Sequence, residues 1–367
     1  MYDIAVIGAG INGATTAYML HQLGKNVVIF DQKEVAGGGS GAAGAFLSPK
    51  FVKNGELKTL INAALDEAFE FYPKISKEHF HRYPLLHIAK DDKDARNLLH
   101  VKQHDHIELL YDPPFIPKNE YIYTSKSAII DAKKMCKTLL NGVEIRFEKV
   151  NTLYHDDRWI INGHIEAKKV VLATGAYKHL IDEAYLQNTI RGIWGHRIDI
   201  ETTTNNPVSI HQYVSISPSI NGVLSIGATH DVHFHPENGI DYDYEKGREE
   251  LLDKAQRTLT LENIKIIKDY VGLRSGSSDY MPLLGKIVNT DQTLQQLSRR
   301  TLESKKQDYS QYRYYNDLYM INGSAGYGFV LAPYLAKKLV GLLIYEEKVP
   351  KALEVARFFI RYARRNR

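Results

Sequence analysis

The 367 residues contain one cysteine, Cys136, which excludes an intramolecular disulfide and any zinc site built from several cysteines. Met135-Cys136-Lys137 lies in a helical stretch and reads as the setting of a small buried residue, not of a reactive or flavin-linking thiol. No run of about 18 apolar residues is found, so no transmembrane segment is expected. A signal peptide is not expected either, because Asp3 interrupts the N-terminus and a glycine loop follows at once. A reducing cytoplasm is the simplest compartment. Charge of one sign is in modest excess: the net charge of +4 and a pI of about 8.7 permit an anionic partner without requiring one. What remains is ordinary for a soluble globular protein, 44% hydrophobic and 25% charged, and long enough for one large domain or two interleaved ones.

The N-terminus reads as a βαβ unit. Tyr2–Ile7 is a short buried strand, Ala14–Leu23 a helix stopped by Gly24, and Asn26–Phe30 a second apolar strand ending at Asp31. Between the first strand and the helix stands Gly8-Ala9-Gly10-Ile11-Asn12-Gly13. A GxGxxG alone can be no more than a tight turn, but here strand and helix flank it correctly. Gly8 permits the turn, Gly10 lets a pyrophosphate approach the backbone, and Gly13 lets the helix pack against the strand. The helix N-terminus offers unpaired N–H groups to phosphates, and Asp31 stands where a carboxylate accepts from ribose hydroxyls. Dinucleotide binding follows. Further along, the spacing predicts helices over Leu57–Tyr72, Ser127–Leu140, Tyr244–Leu259, Ala332–Tyr345 and Lys351–Arg367, and β-rich chain from Ile190 to Asp231. Residues His79–Pro117 are mixed, and Asp291–Tyr314 read as an irregular polar insertion.

Three more segments favour FAD over NAD. A small-residue loop, Gly37–Ala45, carries Ser40, Gly41 and Gly44; an apolar strand ends in Ala173-Thr174-Gly175; and Leu318–Pro333 joins a strand, a glycine-rich turn and a helix. Such a turn directs backbone N–H groups at developing negative charge, as on a reduced flavin. In this order the segments resemble the D-amino-acid-oxidase-type family of FAD oxidoreductases. The resemblance implies an α/β (α+β overall) protein with non-covalent FAD. Its Rossmann-like FAD-binding domain would be assembled from discontinuous segments, 1–80, 125–188, 268–290 and 314–345. A smaller mixed β-sheet substrate domain would comprise 81–124 and 189–267, with 291–313 a polar insertion and 346–367 a basic C-terminal helix. Cofactor contacts are expected from Gly8, Gly10, Ile11, Asn12, Gly13, Asp31, Gln32, Ser40, Gly41, Ala45, Val150, Ala173, Thr174, Gly175, Arg274, Gly326, Tyr327, Gly328 and Phe329.

Gly272-Leu273-Arg274 through Gly285 resembles the family's arginine-to-glycine motif, and in glycine-oxidase-like members the matching arginine pairs with the substrate carboxylate. A guanidinium suits that role because its planar fork matches a carboxylate bidentately. Arg274 is therefore the first candidate catalytic-site residue, the alternative being a structural arginine between domains. Tyr327 is the second, standing where some relatives place an arginine. The reaction so implied is oxidation of a CH–NH donor, which needs orientation over the flavin and no compact triad. His104 and His106, and His230, His233 and His235, have spacings that could bind a metal, yet lack supporting cysteines or an acidic loop. No metal is expected.

Ser40–Pro49, Ser225–Asp231 and the basic end of the chain also resemble one branch of the family, the FAD-dependent oxidoreductase domain of the bifunctional tRNA 5-methylaminomethyl-2-thiouridine biosynthesis proteins. That resemblance implies removal of the carboxymethyl group of 5-carboxymethylaminomethyl-uridine in tRNA, by a free-standing oxidoreductase whose methyltransferase partner is separate or absent. Lys351, Arg357, Arg361, Arg364, Arg365 and Arg367, interleaved with Phe358, Phe359 and Tyr362, could follow an RNA backbone, as could Arg299, Arg300, Lys305 and Lys306. Equally, the terminal helix could pack its aromatics on the body or touch anionic lipid. Two other functions stay open: an oxidase or dehydrogenase of free glycine, sarcosine or D-amino acids, and a non-catalytic flavin-binding subunit. Oxygen and a quinone both remain possible acceptors, and the oligomeric state is open.

Overall fold

A computed structural model describes residues 1–177, 180–298 and 308–365. The N-terminal strand β1 (Tyr2–Ile7) is the centre of an eight-stranded sheet. It pairs in parallel with β2 (Val27–Phe30) on one side and β11 (Ile165–Leu172) on the other. Beyond these lie β8 (Glu144–Arg146) and β18 (Tyr314–Asn322), both parallel, and then β17 (Leu283–Val288), antiparallel to β18. β9 (Leu153–Asp156) and β10 (Arg158–Ile161) extend β11 as an antiparallel ribbon. Alternation sorts the central strands onto two cores. Ile4, Val6, Val27 and Ile29 face α1 (Ile11–Gln22), α3 (Glu56–Ile75) and α8 (Gly328–Tyr345). Ala5, Ile7, Val28 and Phe30 face the other side, where Phe358, Phe359 and Ile360 of α9 (Ala356–Arg365) join the core. With both faces covered, β2 has no polar position, as parallel strands buried on two sides require.

A second sheet has seven strands in the order β16-β12-β15-β14-β13-β5-β6. They are β5 (Leu85–Ile88), β6 (Tyr121–Thr124), β12 (Ile190–Glu201), β13 (Ser209–His211), β14 (Ser215–Ile216), β15 (Val223–Gly227) and β16 (Lys265–Ser277). The inner face of Ile198, Ile200, Leu224 and Ile226 packs on Leu251 and Ala255 of α6 (Tyr244–Gln256). A three-stranded sheet joins β3 (Phe46–Leu47), β7 (Ala128–Ile130) and β4 (Phe80–Arg82). The expected segment boundary at residue 268 falls inside β16, which pairs with β12 from Lys265 to Ser277.

Several expectations need correction. The helix expected over Ser127–Leu140 is the strand β7 followed by α5 (Ala132–Leu139), because the Asp131 carboxylate accepts from Lys134 N and starts the helix there. The mixed stretch after His79 holds α4 (Asp92–His104), N-capped by Asp91. The insertion is not irregular throughout: Asn289 caps α7 (Thr290–Gln296), and Tyr312 is buried with its ring 5.1 Å from Phe359. The other short helix, α2 (Gly39–Ala42), lies in the second glycine loop. Among the described residues one helix, Ala325–Tyr345, is long and apolar enough to cross a membrane by length and composition alone. Its apolarity has another use here, since it packs between α1 and α3 with Leu331, Leu335 and Leu339 buried.

The terminal helix is also corrected. Helical chain starts at Ala356, not Lys351, while the burial of Phe358 and Phe359 agrees with the alternative that packs the aromatics on the body. Arg357 is buried as well, bonded to the Asp279 carboxylate and to the carbonyls of Met281, Leu353 and Glu354. Of the basic residues singled out there, Lys351, Arg361, Arg364 and Arg365 are exposed. Arg299, Arg300, Lys305, Lys306 and Arg367 lie outside the described residues.

Candidate active site

The carboxyl ends of β1, β2, β11 and β18 open into a cleft of about 810 Å³, whose far wall is the face of the second sheet. Ligands of open α/β sheets sit in this position. The fold gathers almost every residue singled out in the sequence along this one cleft. Gly8, Gly10, Ile11 and Asn12 line it at the end of β1; Asp31 and Gln32 after β2; Ser40 and Ala45 on the small-residue loop; Val150 and Ala173-Thr174-Gly175 beside them. Gly326, Tyr327, Gly328 and Phe329 close it at the start of α8, and Arg274 reaches it from β16. Gly13 and Gly41 do not line it. A Cβ on Gly13 would overlap the carbonyl of Gly8, and one on Gly41 the carbonyl of Ala36, so both glycines act through close backbone packing.

The loops are tied to one another. Asp31 accepts from Ala9 N at 2.9 Å and from Lys33 N at 3.0 Å, fixing the glycine turn against the end of β2. Ser40 Oγ accepts from Ile11 N at 2.9 Å and keeps its own proton to donate. The Asn12 amide donates to Ser324 Oγ at 3.1 Å, and the Asn322 amide to the Gly175 carbonyl at 2.8 Å, so the first and last loops are joined. Gly8 has a φ of 110°, open to glycine alone, and a Cβ there would meet the Ala173 carbonyl.

These residues fit FAD. The glycine turn would leave room for a pyrophosphate at the N-terminus of α1, and Asp31, just after β2, could accept from ribose hydroxyls. Thr174 Oγ1 is buried in the cleft wall with no partner among the described residues, as a donor awaiting a ligand oxygen would be. At the opposite end α8 presents the first amides of a long helix beside Gly328 and Phe329.

Arg274 is partly buried and donates Nη2 to the Thr229 carbonyl; no carboxylate among the described residues pairs with it. Burial pulls its guanidinium below the usual arginine range. Its path across β12 depends on Gly195, where a Cβ would strike the guanidinium. Tyr327 ends a single helical turn, Ala325–Tyr327, and its phenol oxygen accepts from Lys50 Nζ at 2.7 Å.

Sequence reasoning missed several polar residues of this cleft, among them Lys50, Arg197, His87 and His211. Lys50 follows β3 with no periodicity to mark it. Arg197, on β12, pairs with Asp199 at 3.0 Å and sits 3.7 Å from the Tyr270 ring centroid. His87 on β5 and His211 on β13 are neighbours in register, with ring centroids 6.1 Å apart. Burial pushes His87 down to about 4 and His211 to about 3, and Nε2 of His211 has no partner among the described residues. A lone histidine in the otherwise apolar strand β5 was the available signal for His87; β13, Ser-Ile-His, offered none for His211. Of the histidines that were singled out, His230 lines the cleft, while His235 Nδ1 accepts from Glu237 N. Among the described residues, no group of three His, Cys, Asp or Glu side chains is placed to hold a metal ion. Cys136 is buried in α5, and burial pushes its thiol up to about 12.

Comparison with known proteins agrees with this geometry. A family model described as FAD dependent oxidoreductase matches residues 3–342. The tRNA 5-methylaminomethyl-2-thiouridine biosynthesis bifunctional protein MnmC of Legionella pneumophila is 24% identical over 387 residues, covering 96% of this chain and 56% of that protein. The chain thus spans about half the length of the MnmC proteins it matches. Glycine oxidase of Bacillus subtilis is 22% identical over 322 residues, covering 78% of this chain and 84% of the relative. Among solved structures, glycine oxidase from Geobacillus kaustophilus shares the fold with a TM-score of 0.77 at 18% identity, covering 97% of each chain. Iminodiacetate oxidase from Chelativorans sp. BNC1 shares it at 0.75 and 18% identity, covering 96% of this chain and 98% of the other. With the family model spanning residues 3–342, the chain belongs to the FAD dependent oxidoreductase family.

Proposed function

We propose that this flavoenzyme oxidises the C–N bond of a glycine-like secondary amine, and that the amine is 5-carboxymethylaminomethyl-uridine in tRNA, whose carboxymethyl group it removes. The observation that carries the reading is Arg274: a desolvated guanidinium in the cleft with no carboxylate partner among the described residues. A substrate carboxylate would supply the missing counter-ion in bidentate geometry. Lys50 adds a further cation to the same cleft. Together they hold the carboxylate and disfavour the protonated amine, leaving the neutral form that oxidation requires.

FAD, when bound, would supply the acceptor for a hydride from the carbon between nitrogen and carboxylate. The substrate, oxidised by two electrons, releases its N–H proton as it becomes an imine, and water then cleaves the imine to the aminomethyl nucleoside and glyoxylate. The chain's residues orient the reacting C–H bond by fixing the carboxylate. The RNA assignment is supported by the MnmC relatives, which match over 96% of this chain. Iminodiacetate, the substrate in the name of one structural neighbour, is likewise a carboxymethyl-substituted secondary amine.

A second reading is oxidation of a free amino acid, favoured by the burial of Arg357, Phe358 and Phe359, which removes them from any RNA-binding surface. The test is anaerobic flavin bleaching in the FAD-loaded protein. One arm offers tRNA carrying carboxymethylaminomethyl-uridine, the other glycine, sarcosine and D-amino acids. Bleaching by the tRNA supports the first reading; bleaching by small amino acids alone replaces it with the second.

A further inference from the structure

Tyr280 stands on the rim of the cleft, 75% exposed, with a φ of 67°. A scattered exposed tyrosine needs no explanation. This one is held in a backbone region that bulky side chains rarely adopt, and the surroundings over-determine it. Tyr280 N donates to the Ser277 carbonyl at 3.2 Å, and Met281 N to Asp279 Oδ1 at 3.3 Å. Arg357 grips the turn from below: Nε meets Asp279 Oδ2 at 3.0 Å, and Nη2 meets Asp279 Oδ1 at 3.1 Å and the Met281 carbonyl at 2.6 Å. Arg361 reaches the same carboxylate at 3.0 Å and is 52% exposed. One carboxylate thus serves two guanidiniums, and the outer one leaves surplus positive charge beside the tyrosine.

An outward aromatic face, a fixed backbone and an adjacent cation at a cleft mouth are what recognition of an unpaired nucleotide needs. The base stacks on the ring, and the phosphate meets the arginine. We infer that Tyr280 is the stacking platform for an unpaired base of the RNA substrate flanking the nucleotide that enters the cleft, with Arg361 against the neighbouring phosphate. This rests on the tRNA reading above. It also gives the terminal helix a role: its buried arginine positions the reader, and its exposed arginine completes it.

The experiment uses FAD-loaded protein and modified tRNA, following anaerobic flavin reduction against tRNA concentration for wild type, Tyr280→Gly and Tyr280→Phe. Glycine suits the positive φ, so Tyr280→Gly should fold and melt no lower than wild type. It should raise the half-saturating tRNA concentration about tenfold, while Tyr280→Phe stays within about twofold of wild type. The limiting rate should not change in either, because stacking is lost equally from ground and transition states. If tRNA reduces the wild-type flavin and Tyr280→Gly has the wild-type concentration dependence, the stacking role is wrong and the substrate reading stands. A fall in limiting rate without a change in half-saturation overturns it too. If tRNA does not reduce the wild-type flavin, the substrate reading fails and this inference fails with it.

Discussion

The ammonium of Lys50 donates a 2.7 Å hydrogen bond to the phenol oxygen of Tyr327 and lies 4.7 Å from the centroid of its ring. This contact fastens the segment after β3 to the turn that starts α8, across 277 residues of sequence. It also orients a cation into the cleft that would hold an anionic substrate. Lys50→Met should therefore lower kcat/KM by about ten- to a hundredfold while FAD stays bound, the range expected for a lost charged hydrogen bond. Tyr327→Phe should cost less, since the cation remains. Steady-state kinetics with flavin absorbance as the control decide it.

Arg274→Lys should be nearly as damaging as Arg274→Met. A lysine keeps the charge but not the planar fork, and the bend over Gly195 fits a guanidinium. We expect a loss in kcat/KM of about a hundredfold or more for both, in keeping with a broken bidentate pair. Thermal stability should hold or rise in Arg274→Met, because the native charge is desolvated without a carboxylate partner among the described residues. A parallel loss of activity toward a substrate whose carboxylate is replaced by an amide would identify the interaction.

Two glycines of one motif should fail differently. Gly13→Ala forces a methyl group into the Gly8 carbonyl, where backbone meets backbone, so the protein should lose about 1–3 kcal/mol of stability as well as its flavin. In Gly10→Ala the added Cβ lies 3.1 Å from Ser40 Oγ, a side-chain atom that needs only a small shift to make room and can keep its bond to Ile11 N. That variant should fold with near-normal stability and yet bind FAD weakly, because the methyl group occupies the approach of the pyrophosphate. Melting curves and flavin content after purification separate the two.

The contrast explains which parts of the site were legible in the sequence. The glycine turn, Asp31, Ala173–Gly175 and the turn before α8 are local: each is a strand end followed by a fixed spacing of small residues. Arg274 became legible through the family motif around it. Lys50, Arg197, His87 and His211 carry no such local mark. They reach the cleft because β3, β5, β12 and β13 come together in space, and pairings such as His87 with His211 join strands more than a hundred residues apart. The terminal segment was misread in part for the same reason. Its alternating arginines and aromatics describe an amphipathic helix, but only the docking site, with Asp279 and Tyr312, determines that one arginine turns inward.

Stability should fall in mild acid through the two cleft histidines. Burial holds His87 at about 4 and His211 at about 3 in the folded protein, against about 6.5 when unfolded. Above pH 6.5 both states carry neutral rings and the pair adds no pH dependence. As pH falls below about 6.5 the unfolded chain takes up protons that the folded one refuses, so stability drops progressively toward pH 4 and below. The melting temperature of His87→Phe should decline less steeply over this window than that of wild type. Equal slopes would show that His87 is not held neutral.

The ion pair between Arg357 and Asp279 should be the most sensitive point of the C-terminal region. Both side chains are largely buried, at 9% and 18% exposure, so removing one partner strands the other away from water. Arg357→Met leaves the half-exposed Arg361 as the cation paired with the Asp279 carboxylate, and Asp279→Asn leaves a buried guanidinium short of its counter-ion. Either change should cost about 3–5 kcal/mol, whereas replacing both with apolar residues of similar size should cost much less. Loss of the pair should also loosen α9 and expose Phe358 and Phe359, which are buried beneath it. Limited proteolysis should then cut near residue 355 in the single variants sooner than in wild type, and the double variant should recover protection. Equal protection in all four proteins would mean that the apolar contacts alone hold the helix.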